Sequence, residues 1–345
     1  MKKSLAVFLI VVLVSSFVIS NVFANEESPL PGPFKKDVPL KIAYVPVVMN
    51  THYDMVLSGL KEGIDENGGE EFATLNVYAP SSNEKSMEEQ FVTLDALLQQ
   101  DIDVLIFATE NEEAFIPYLR KFCEKGVAVF FVNMTELKPE NVYYISSVTY
   151  DQYDASHKIG EWAVKYFADK DLVNIAVLEG FPGDVNTTRL NGFLDAIAGH
   201  DNLKVVSSQV ANWTRTDGQS VTENLLISNP EINFIYGLYD EMALGALAAV
   251  KQAGRLDDIA IAGYDNTRDA YDSILGGELT ATVNTAAKEQ GTNLIKAIVA
   301  YCLEGEEVEK EINSELIVYD KDTINEFNTD NYIYVPREQI YFWKK

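Results

Sequence analysis

The feature that most constrains the fold is an alternation of short, β-branched apolar runs with segments of helical spacing. One set of runs covers residues 41–48, 74–79, 104–109, 127–133 and 142–148, and a second covers 174–180, 204–211, 234–239, 259–265 and 279–284. Nearly continuous apolar strands separated by helices are typical of parallel sheets covered on both faces. The two sets predict an α/β protein with two doubly wound parallel-sheet lobes, and 345 residues are enough for both.

The residues that follow each run are the first candidates for a site, because ligands of open parallel sheets bind beyond the carboxyl ends of the strands. These residues are Met49 to Tyr53, Phe107 to Glu110, Asn133 and Met134, Trp213, Tyr239 and Asp240, and Asp265 and Asn266. The set is rich in aromatic and amide side chains and contains neither a histidine pair nor a nucleophile motif. It favours binding of a small molecule over catalysis.

Several classes of function lack the motifs they require. The three histidines, His52, His157 and His200, are not spaced to place two imidazoles on one helical face, so no metal site is expected. Neither G-x-x-x-x-G-K-[ST] nor G-x-G-x-x-G occurs, and we therefore expect no nucleotide cofactor. The net charge of −26 at pH 7 makes nucleic acid and anionic membranes poor partners.

Residues 1–24 are predicted to be a signal peptide. Two lysines precede a long apolar run that ends in Val22-Phe23-Ala24, a pattern suited to cleavage before Asn25. An uncleaved membrane anchor is the alternative, because the run approaches the length that spans a bilayer. We expect a secreted protein of the periplasm, with residues 25–38 as an extended leader before the fold.

The two cysteines, Cys123 and Cys302, both fall on predicted helices. A disulfide between them is chemically possible in an exported protein. Cysteines on helices are more often small buried hydrophobic residues, so the sequence leaves both states open.

Two acids, Asp240 and Glu241, begin an alanine-rich helical stretch directly after an apolar run. Paired carboxylates can act as a catalytic acid and base, but no second pair and no histidine accompanies them at a neighbouring strand end. We expect Asp240 to accept hydrogen bonds from backbone N–H groups at the helix start, where both acids complement the helix dipole. Tyr239, at the tip of the preceding strand, is then expected to face the crevice.

Three stretches carry a resemblance to a known family. The runs YDEMALGALAAVKQAG, DDIAIAGYDNT and GELTATVNTAAKEQG are similar to the second lobe of the ribose-type periplasmic sugar-binding proteins, relatives of the lactose-repressor core. The resemblance covers residues 40–320 and implies two lobes, joined by three hinge strands, that close over one sugar without a cofactor. It implies a first lobe of residues 39–146 and 286–313, a second lobe of 147–285 and 314–323, and a C-terminal tail of 324–345.

The resemblance also implies which residues contact the ligand. In such a site, aromatic rings cover the apolar faces of a sugar and polar side chains bind its hydroxyl groups. Positions that match the family pattern are Asn50, His52, Tyr53, Arg189, Trp213 and Asp265. Positions that depart from it are Phe107, Asn133, Met134, Tyr239 and Thr285. The pocket is expected to be more aromatic and less charged than a ribose site, which suits a deoxysugar, a polyol, a furanosyl compound or a small methylated amine.

The implied function is that of a monomeric periplasmic solute-binding protein, which captures a sugar-like ligand by hinge closure and presents it to the permease of an ABC importer. One alternative is a periplasmic sensor that docks on a histidine kinase or a chemoreceptor. A weaker alternative is an exported hydrolase, which would need a carboxylate pair or a nucleophile that the sequence does not offer. The aromatic tail, residues 324–345, favours the sensor if it forms a docking arm, but a strap across the hinge is the preferred interpretation.

Overall fold

The computed structural model describes residues 30–33, 36–134, 137 and 141–332. The predicted signal peptide and tail residues 333–345 lie outside the described residues, so the predictions for them are not tested by the fold. Within the described ranges, no helix combines the length and the apolar character needed to cross a membrane.

Strands and helices alternate along most of the described chain, as the apolar runs predict. The first half contains β1 Leu40–Val45, α1 Thr51–Glu66, β2 Ala73–Val77, α2 Ser86–Leu97, β3 Val104–Phe107, α3 Glu112–Glu124, β4 Ala128–Val132, β5 Ser146–Thr149, α4 Gln152–Tyr166 and β6 Val173–Glu179. The second half contains α5 Asp184–Ile197, β7 Leu203–Val210, α6 Arg215–Ser228, β8 Phe234–Gly237, α7 Asp240–Gln252, β9 Ala260–Asp265, α8 Arg268–Leu275, β10 Ala281–Asn284, α9 Ala287–Val299, β11 Glu311–Asn313 and β12 Ile317–Asp320.

The strands form two sheets, one in each lobe. The first sheet has the order β11-β5-β4-β3-β1-β2, and every pairing in it is parallel. The second sheet has the order β12-β10-β9-β8-β6-β7, and it is parallel except for the edge pair β10–β12. These sheets confirm the predicted α/β class with two doubly wound lobes.

Both faces of the first sheet are buried, which explains why its strands are apolar without alternation. Ile42 and Tyr44 of β1 belong to a core packed against α1 and α9, whereas Ala43 and Val45 belong to a core packed against α2 and α3. Neighbouring residues of one strand therefore contribute to opposite layers, as in any sheet covered by helices on both sides.

Three connections join the lobes. The chain passes from β5 to α4 between residues 149 and 152, returns from β10 to α9 between 284 and 287, and passes from β11 to β12 between 313 and 317. The first connection corrects the expected boundary, because Ser147, Val148 and Thr149 pair within the first sheet rather than belonging to the second lobe. The boundary was expected after residue 146, but β5 pairs with β4 as far as Val148 and with β11 as far as Thr149, so the strand continues beyond it.

Residues 324–332 lie across the back of the two lobes, and we call this segment the strap. Its Ile324 and Phe327 are buried in the core of the second lobe. Its Tyr332 packs against the cores of both lobes and donates a hydrogen bond of 2.7 Å to the carbonyl of Asn266. Lys288 of α9, in the first lobe, donates to the carbonyl of Asp330 at 3.2 Å. This part of the tail is therefore packed against the protein rather than extended as an arm.

The two cysteines are unpaired. Cys123 lies in the core on the α2 and α3 side of the first sheet, and Cys302 lies in the core on the α1 and α9 side. Because the sheet separates them, the structure contains no disulfide between them. Burial raises the pKa of each thiol to about 12, so both behave as small hydrophobic residues.

Candidate ligand-binding cleft

A narrow cleft lies between the lobes, at the carboxyl ends of both sets of parallel strands. Eight of the eleven predicted site residues line it: Asn50, His52, Tyr53, Asn133, Arg189, Trp213, Tyr239 and Asp265. The lining also includes Val47, Val48, Asn83, Thr109, Glu110 and Val185. Loops that follow strands of both sheets supply these side chains, which is the expected position for a ligand of a parallel sheet.

Three predicted site residues lie outside the lining. Phe107 is fully buried in the core beside α3, where its ring packs edge to face on Phe115 at 5.2 Å. Met134 lies in the same core, and its backbone carbonyl accepts from Ser147 at 2.6 Å. Both assignments are corrected, because these side chains point to the helix layer rather than to the cleft. Thr285 is also buried, but it supports the site by donating to Asp265 at 2.9 Å.

Arg189 is the buried cation of the second-lobe wall. Three of its N–H groups donate to protein acceptors: Nε to Gln152 at 2.7 Å, Nη1 to the carbonyl of Leu238 at 2.7 Å and Nη2 to Tyr150 at 2.8 Å. Its guanidinium lies 3.9 Å from the ring centroid of Tyr264 and 5.2 Å from that of Trp213. Hydrogen bonds and cation–π contacts therefore hold the guanidinium in one position.

Asp265 faces Arg189 at the end of β9 and is almost completely buried. Burial by itself raises the pKa of this carboxyl, but His52, Arg189 and the hydrogen bond from Thr285 outweigh burial and hold the pKa below its usual range. The Nδ1 atom of His52, in the first lobe, lies 3.5 Å from Asp265 Oδ1. Asp265 is thus a charged acceptor that the protein itself stabilises.

Trp213 forms the aromatic part of the second-lobe wall. Its ring lies over Gly180, where an added Cβ would come within 1.7 Å of a ring atom, so only glycine fits beneath it. The rings of Trp213 and Tyr239 meet edge to face at 6.5 Å. This arrangement offers a flat apolar surface, which complements the C–H face of a sugar ring.

Three residues of the cleft have a left-handed backbone that non-glycine residues rarely adopt. The φ angles are 55° at Asn133, 60° at Trp213 and 102° at Asp265. Such conformations cost roughly 1–3 kcal/mol each and concentrate at functional sites. Their presence at the ends of strands on both walls marks the cleft as a specialised region.

The first-lobe wall is built on the start of α1. Asn50 caps the helix by accepting from the backbone N–H of Tyr53 at 3.1 Å, and this fixes the direction of the next two residues. His52 and Tyr53 are buried and meet edge to face at 5.2 Å. Within the described part of the chain, the Nε2 atom of His52 and the hydroxyl of Tyr239 opposite make no hydrogen bond of ordinary geometry, whereas Nδ1 of His52 approaches Asp265. Buried polar atoms of this kind require a partner, which a bound ligand would supply.

A relay of hydrogen bonds joins the two walls through Gln152, a residue that the sequence analysis missed. Asn133 donates to the Tyr53 hydroxyl at 3.4 Å, and Gln152 donates to Asn133 at 3.1 Å. The amide oxygen of Gln152 accepts from Arg189. Gln152 is the first residue of α4 and follows the end of β5 at Thr149. The expectation that site residues follow the ends of strands was not applied to β5, and it would have identified Gln152.

Glu110 is a second residue that was not carried into the predicted site. It follows β3 and lines the cleft, and its side chain is exposed to solvent. Desolvation by nearby protein atoms nevertheless raises the pKa of Glu110, and Arg189 opposes the shift only in part. The two carboxyls of the cleft thus have pKa values shifted in opposite directions.

The acids at the start of α7 differ from the expectation. Asp240 does not cap its own helix; it accepts from the backbone N–H of Thr267 at 2.7 Å and from the Thr282 hydroxyl at 2.8 Å. It therefore braces the turn that follows Asp265, and burial raises its pKa to about 8. Glu241 pairs instead with Arg215 at 2.8 Å.

The two lobes contact each other across the cleft. Besides the approach of His52 to Asp265, the hydroxyl of Thr51 in the first lobe donates to Glu241 in the second at 3.4 Å. The arrangement is therefore closed, with a cavity of about 60 Å³ between the walls. Rings and hydrogen-bonding groups line it, and within the described residues no group of three or more metal-ligating side chains is present.

A wider cleft of about 550 Å³ lies at the other end of the second lobe, near the amino ends of its strands. Tyr166, Asp257 and Lys321 are among its lining residues. Despite its size, it lies away from the strained residues, the unpaired buried polar atoms and the carboxyl ends of the sheets. We therefore assign the ligand site to the narrow interlobe cleft.

Comparison with known proteins identifies the family of the chain. The family model described as "Periplasmic binding protein domain" matches residues 42–307. The chain is 31% identical over 261 residues to the ribose import binding protein RbsB of Bacillus subtilis. The aligned region covers 74% of this chain and 80% of that relative. It is 27% identical over 252 residues to the galactofuranose-binding protein YtfQ of Escherichia coli, covering 71% of this chain and 79% of that relative.

Solved structures show the same fold. An ABC transporter periplasmic solute binding protein from Actinobacillus succinogenes, with bound D-allose, superimposes with a TM-score of 0.76. The two chains are 24% identical, and the match covers 84% of this chain and 100% of that one. On its match to the family model and its identity to the Bacillus protein, the chain belongs to the type I periplasmic binding proteins of the ribose-type sugar-binding family.

Proposed function

We propose that the protein is a periplasmic sugar-binding protein that closes its two lobes around one sugar and delivers it to an ABC importer. The names of its relatives support sugar as the class of ligand, since they bind ribose, galactofuranose, apiose and allose. Closure follows from contact of the ligand with both walls, because a ligand that binds the closed form better shifts the equilibrium towards it.

The observation that carries the proposal is the pairing of aromatic rings with unpaired buried polar atoms on the two walls. Trp213 and Tyr53 offer flat apolar surfaces, and within the described residues the Nε2 atom of His52 and the hydroxyl of Tyr239 are buried without a hydrogen bond of ordinary geometry. A sugar ring has apolar C–H faces and a polar rim, so it complements both features at once. A catalytic function would need a nucleophile with an adjacent base, which the described lining does not bring together.

The test is calorimetric titration of the protein with D-ribose, D-allose, D-apiose and D-galactofuranose. At least one is expected to bind and to reduce the radius of gyration in small-angle scattering. Asp265→Asn should weaken that binding by about tenfold or more, because it removes a charged acceptor. Asp257→Asn, in the wider cleft, is the matched control and should bind as the wild type does. Absence of binding by every sugar, or an equal effect of both variants, would contradict the proposal.

The cellular context that we propose is export with cleavage after Ala24 and action as a monomer that presents its ligand to a permease. Intact mass measured on the periplasmic protein tests the cleavage, and the full-length mass would contradict it. The sensor alternative shares the same cleft and differs in its partner. Loss of sugar uptake when the chain is deleted supports the importer, whereas normal uptake with loss of a sugar response supports the sensor.

A further inference from the structure

The two amide side chains beside the cleft have a fixed direction, which follows from Arg189. A guanidinium group carries only donors, so the atom of Gln152 that lies 2.7 Å from Arg189 Nε must be the amide oxygen. The hydroxyl of Tyr264 also donates to this oxygen, at 3.2 Å. In the opposite direction, the amide nitrogen of Gln152 would meet Arg189 donor against donor. The nitrogen of Gln152 is therefore the end of the amide that faces Asn133.

The direction passes from Gln152 to Asn133. The amide nitrogen of Gln152 can only donate, so the Asn133 atom 3.1 Å from it must be the oxygen, Oδ1. The nitrogen of Asn133 then lies at the other end of the amide, 3.4 Å from the hydroxyl of Tyr53. Because an amide nitrogen does not accept, the Tyr53 hydroxyl is the acceptor in this contact, and its own proton remains for another acceptor.

The two ends of the Asn133 amide lie in different surroundings. Gln152, which contacts the oxygen, is buried and is not among the described lining residues, whereas Tyr53, which contacts the nitrogen, lines the cleft. Asn133 itself lines the cleft and is half-buried. Its oxygen is thus turned to the interior and its nitrogen to the side of the cleft. The nitrogen carries two N–H groups, and within the described part of the chain only one of them has an acceptor.

The two walls therefore offer opposite groups to a ligand. The first-lobe wall offers an N–H group of Asn133 and the hydroxyl proton of Tyr53, whereas the second-lobe wall offers the ionised carboxylate of Asp265. Resting on the proposed function, we infer that Gln152 is a positioning residue, which orients the Asn133 amide so that it donates a hydrogen bond to an oxygen of the sugar. The sugar then accepts at the first-lobe wall and donates a hydroxyl at the second.

In the competing case, Gln152 only satisfies its neighbours within the fold, and two substitutions separate the cases. Gln152→Glu keeps an acceptor for Arg189 but has no N–H group at pH 7, so the Asn133 amide turns over and presents its oxygen to the cleft. Gln152→Leu removes both partners. Arg189 then loses an acceptor, while the Asn133 amide can take whichever direction the ligand requires.

The experiment is calorimetric titration of the wild type and both variants at pH 7 with D-ribose, D-allose, D-apiose and D-galactofuranose, together with denaturant unfolding without ligand. For the sugar that binds most tightly, Gln152→Glu should weaken binding by about tenfold or more, and Gln152→Leu should weaken it less. Stability should follow the opposite order, because only Gln152→Leu leaves Arg189 Nε without its acceptor. Gln252→Glu, exposed at the end of α7, is the matched control and should behave as the wild type in both measurements.

Asn133→Asp is a second variant, which tests the same N–H group without changing Gln152. It keeps an acceptor for the Gln152 nitrogen and removes the donor from the cleft, so it should weaken binding of the same sugar by about tenfold or more. Two results would overturn the inference and leave the proposed function standing. One is the same order of the two Gln152 variants in affinity and in stability, and the other is unchanged affinity in Asn133→Asp. If none of the four sugars binds to the wild type, both the inference and the proposed function fail.

Discussion

The two walls of the cleft differ in how completely the protein satisfies their polar groups. On the second-lobe wall, Arg189 and Asp265 have partners in the protein, and Asp240 braces the turn behind them. On the first-lobe wall, the Nε2 atom of His52 is buried without a hydrogen bond within the described part of the chain, and Glu110 is exposed to solvent. The charged groups of the second-lobe wall are therefore held by the protein before the ligand arrives, although the Tyr239 hydroxyl lacks a hydrogen bond within the described residues. On the first-lobe wall, His52 is left for the ligand to complete.

This difference has a consequence for binding. A wall held by its own hydrogen bonds loses little conformational freedom when the ligand binds, so its contacts contribute efficiently to affinity. A wall with unpaired groups gains new bonds only in the closed, liganded form, and these bonds drive closure. We expect substitutions in the second-lobe wall to affect both stability and affinity, and those in the first-lobe wall to affect mainly selectivity.

The largest effect is expected for Arg189→Leu. It removes a buried charge and leaves Gln152, Tyr150 and the Leu238 carbonyl without their donors, at a cost of about 3–5 kcal/mol in the free energy of unfolding. Denaturant unfolding of the unliganded protein measures this cost. Arg120→Leu is the control, since that exposed residue pairs, within the described residues, with Glu124 on its own helix and should change stability by about 0.5 kcal/mol or less. Equal effects of the two variants would remove the distinction between the walls.

The next effect is expected for Trp213→Ala, which removes the ring on which the ligand lies. The loss of affinity should be roughly 2–4 kcal/mol, because a desolvated aromatic anchor contributes about that much to binding. Trp213 is only partly buried, so the melting temperature of the unliganded protein should fall less than for a core aromatic residue.

Gly180→Ala is a second way to test the same ring. An added Cβ lies within 1.7 Å of a Trp213 atom, so the ring must move although the indole is still present. Affinity should fall towards the value of Trp213→Ala, whereas Trp213→Phe should lose much less. Unchanged affinity in Trp213→Ala would exclude the residue from the site.

A smaller effect is expected from protonation of Asp240, measured as the pH dependence of stability. Its pKa is raised to about 8 in the folded protein, above the value of about 3.9 in an unfolded chain. The folded state therefore keeps the proton over a pH range in which the unfolded state loses it. The stabilisation that comes with protonated Asp240 is complete below about pH 4 and declines as the pH rises towards 8.

Between pH 5 and pH 7 this decline corresponds to roughly 2–3 kcal/mol. Asp240→Asn, which keeps an oxygen for the Thr267 N–H group, should flatten the curve and be more stable than the wild type near pH 8. Urea unfolding of both proteins across this range measures the difference. Parallel curves would show that Asp240 is ionised in the folded state. Its hydrogen bonds to the turn would then not depend on a retained proton.

The sequence predicted the lobes well because their signals are local. Apolar runs such as 104–109 and 259–265 need no knowledge of the tertiary fold to be recognised as strands. The position of residues directly after a strand also placed Trp213 and Tyr239 at the cleft, since strand direction decides which edge they occupy.

The errors arose where a side chain could take either of two directions. Phe107 is the last residue of β3, and whether it points to the helix layer or to the cleft depends on the pleat of the strand, which the end of the strand does not reveal. Asp240 stands at a helix start, but its carboxylate reaches a turn 27 residues further along the chain, and no local pattern predicts such a contact.

The smallest effect is expected for a substitution in the strap. It tests whether contacts behind the cleft also help to hold the second-lobe wall in place. The hydroxyl of Tyr332 donates to the carbonyl of Asn266, the residue after Asp265, while its ring packs on the cores of both lobes. Tyr332→Phe keeps the ring and removes the donor, so closure should weaken by about 0.5–1.5 kcal/mol, seen as a loss of affinity for a confirmed ligand.

Tyr166→Phe is the matched control for this variant, because Tyr166 is exposed on α4 and stacks on Trp162 away from the cleft. It should leave affinity unchanged. The strap acts on closure only if the Tyr332→Phe variant loses affinity while its unfolding in the absence of ligand changes less than its binding. If instead stability falls and affinity does not, the hydroxyl of Tyr332 stabilises the fold alone, and the second-lobe wall owes its order to Asp240, Thr285 and the Arg189 network without help from the strap.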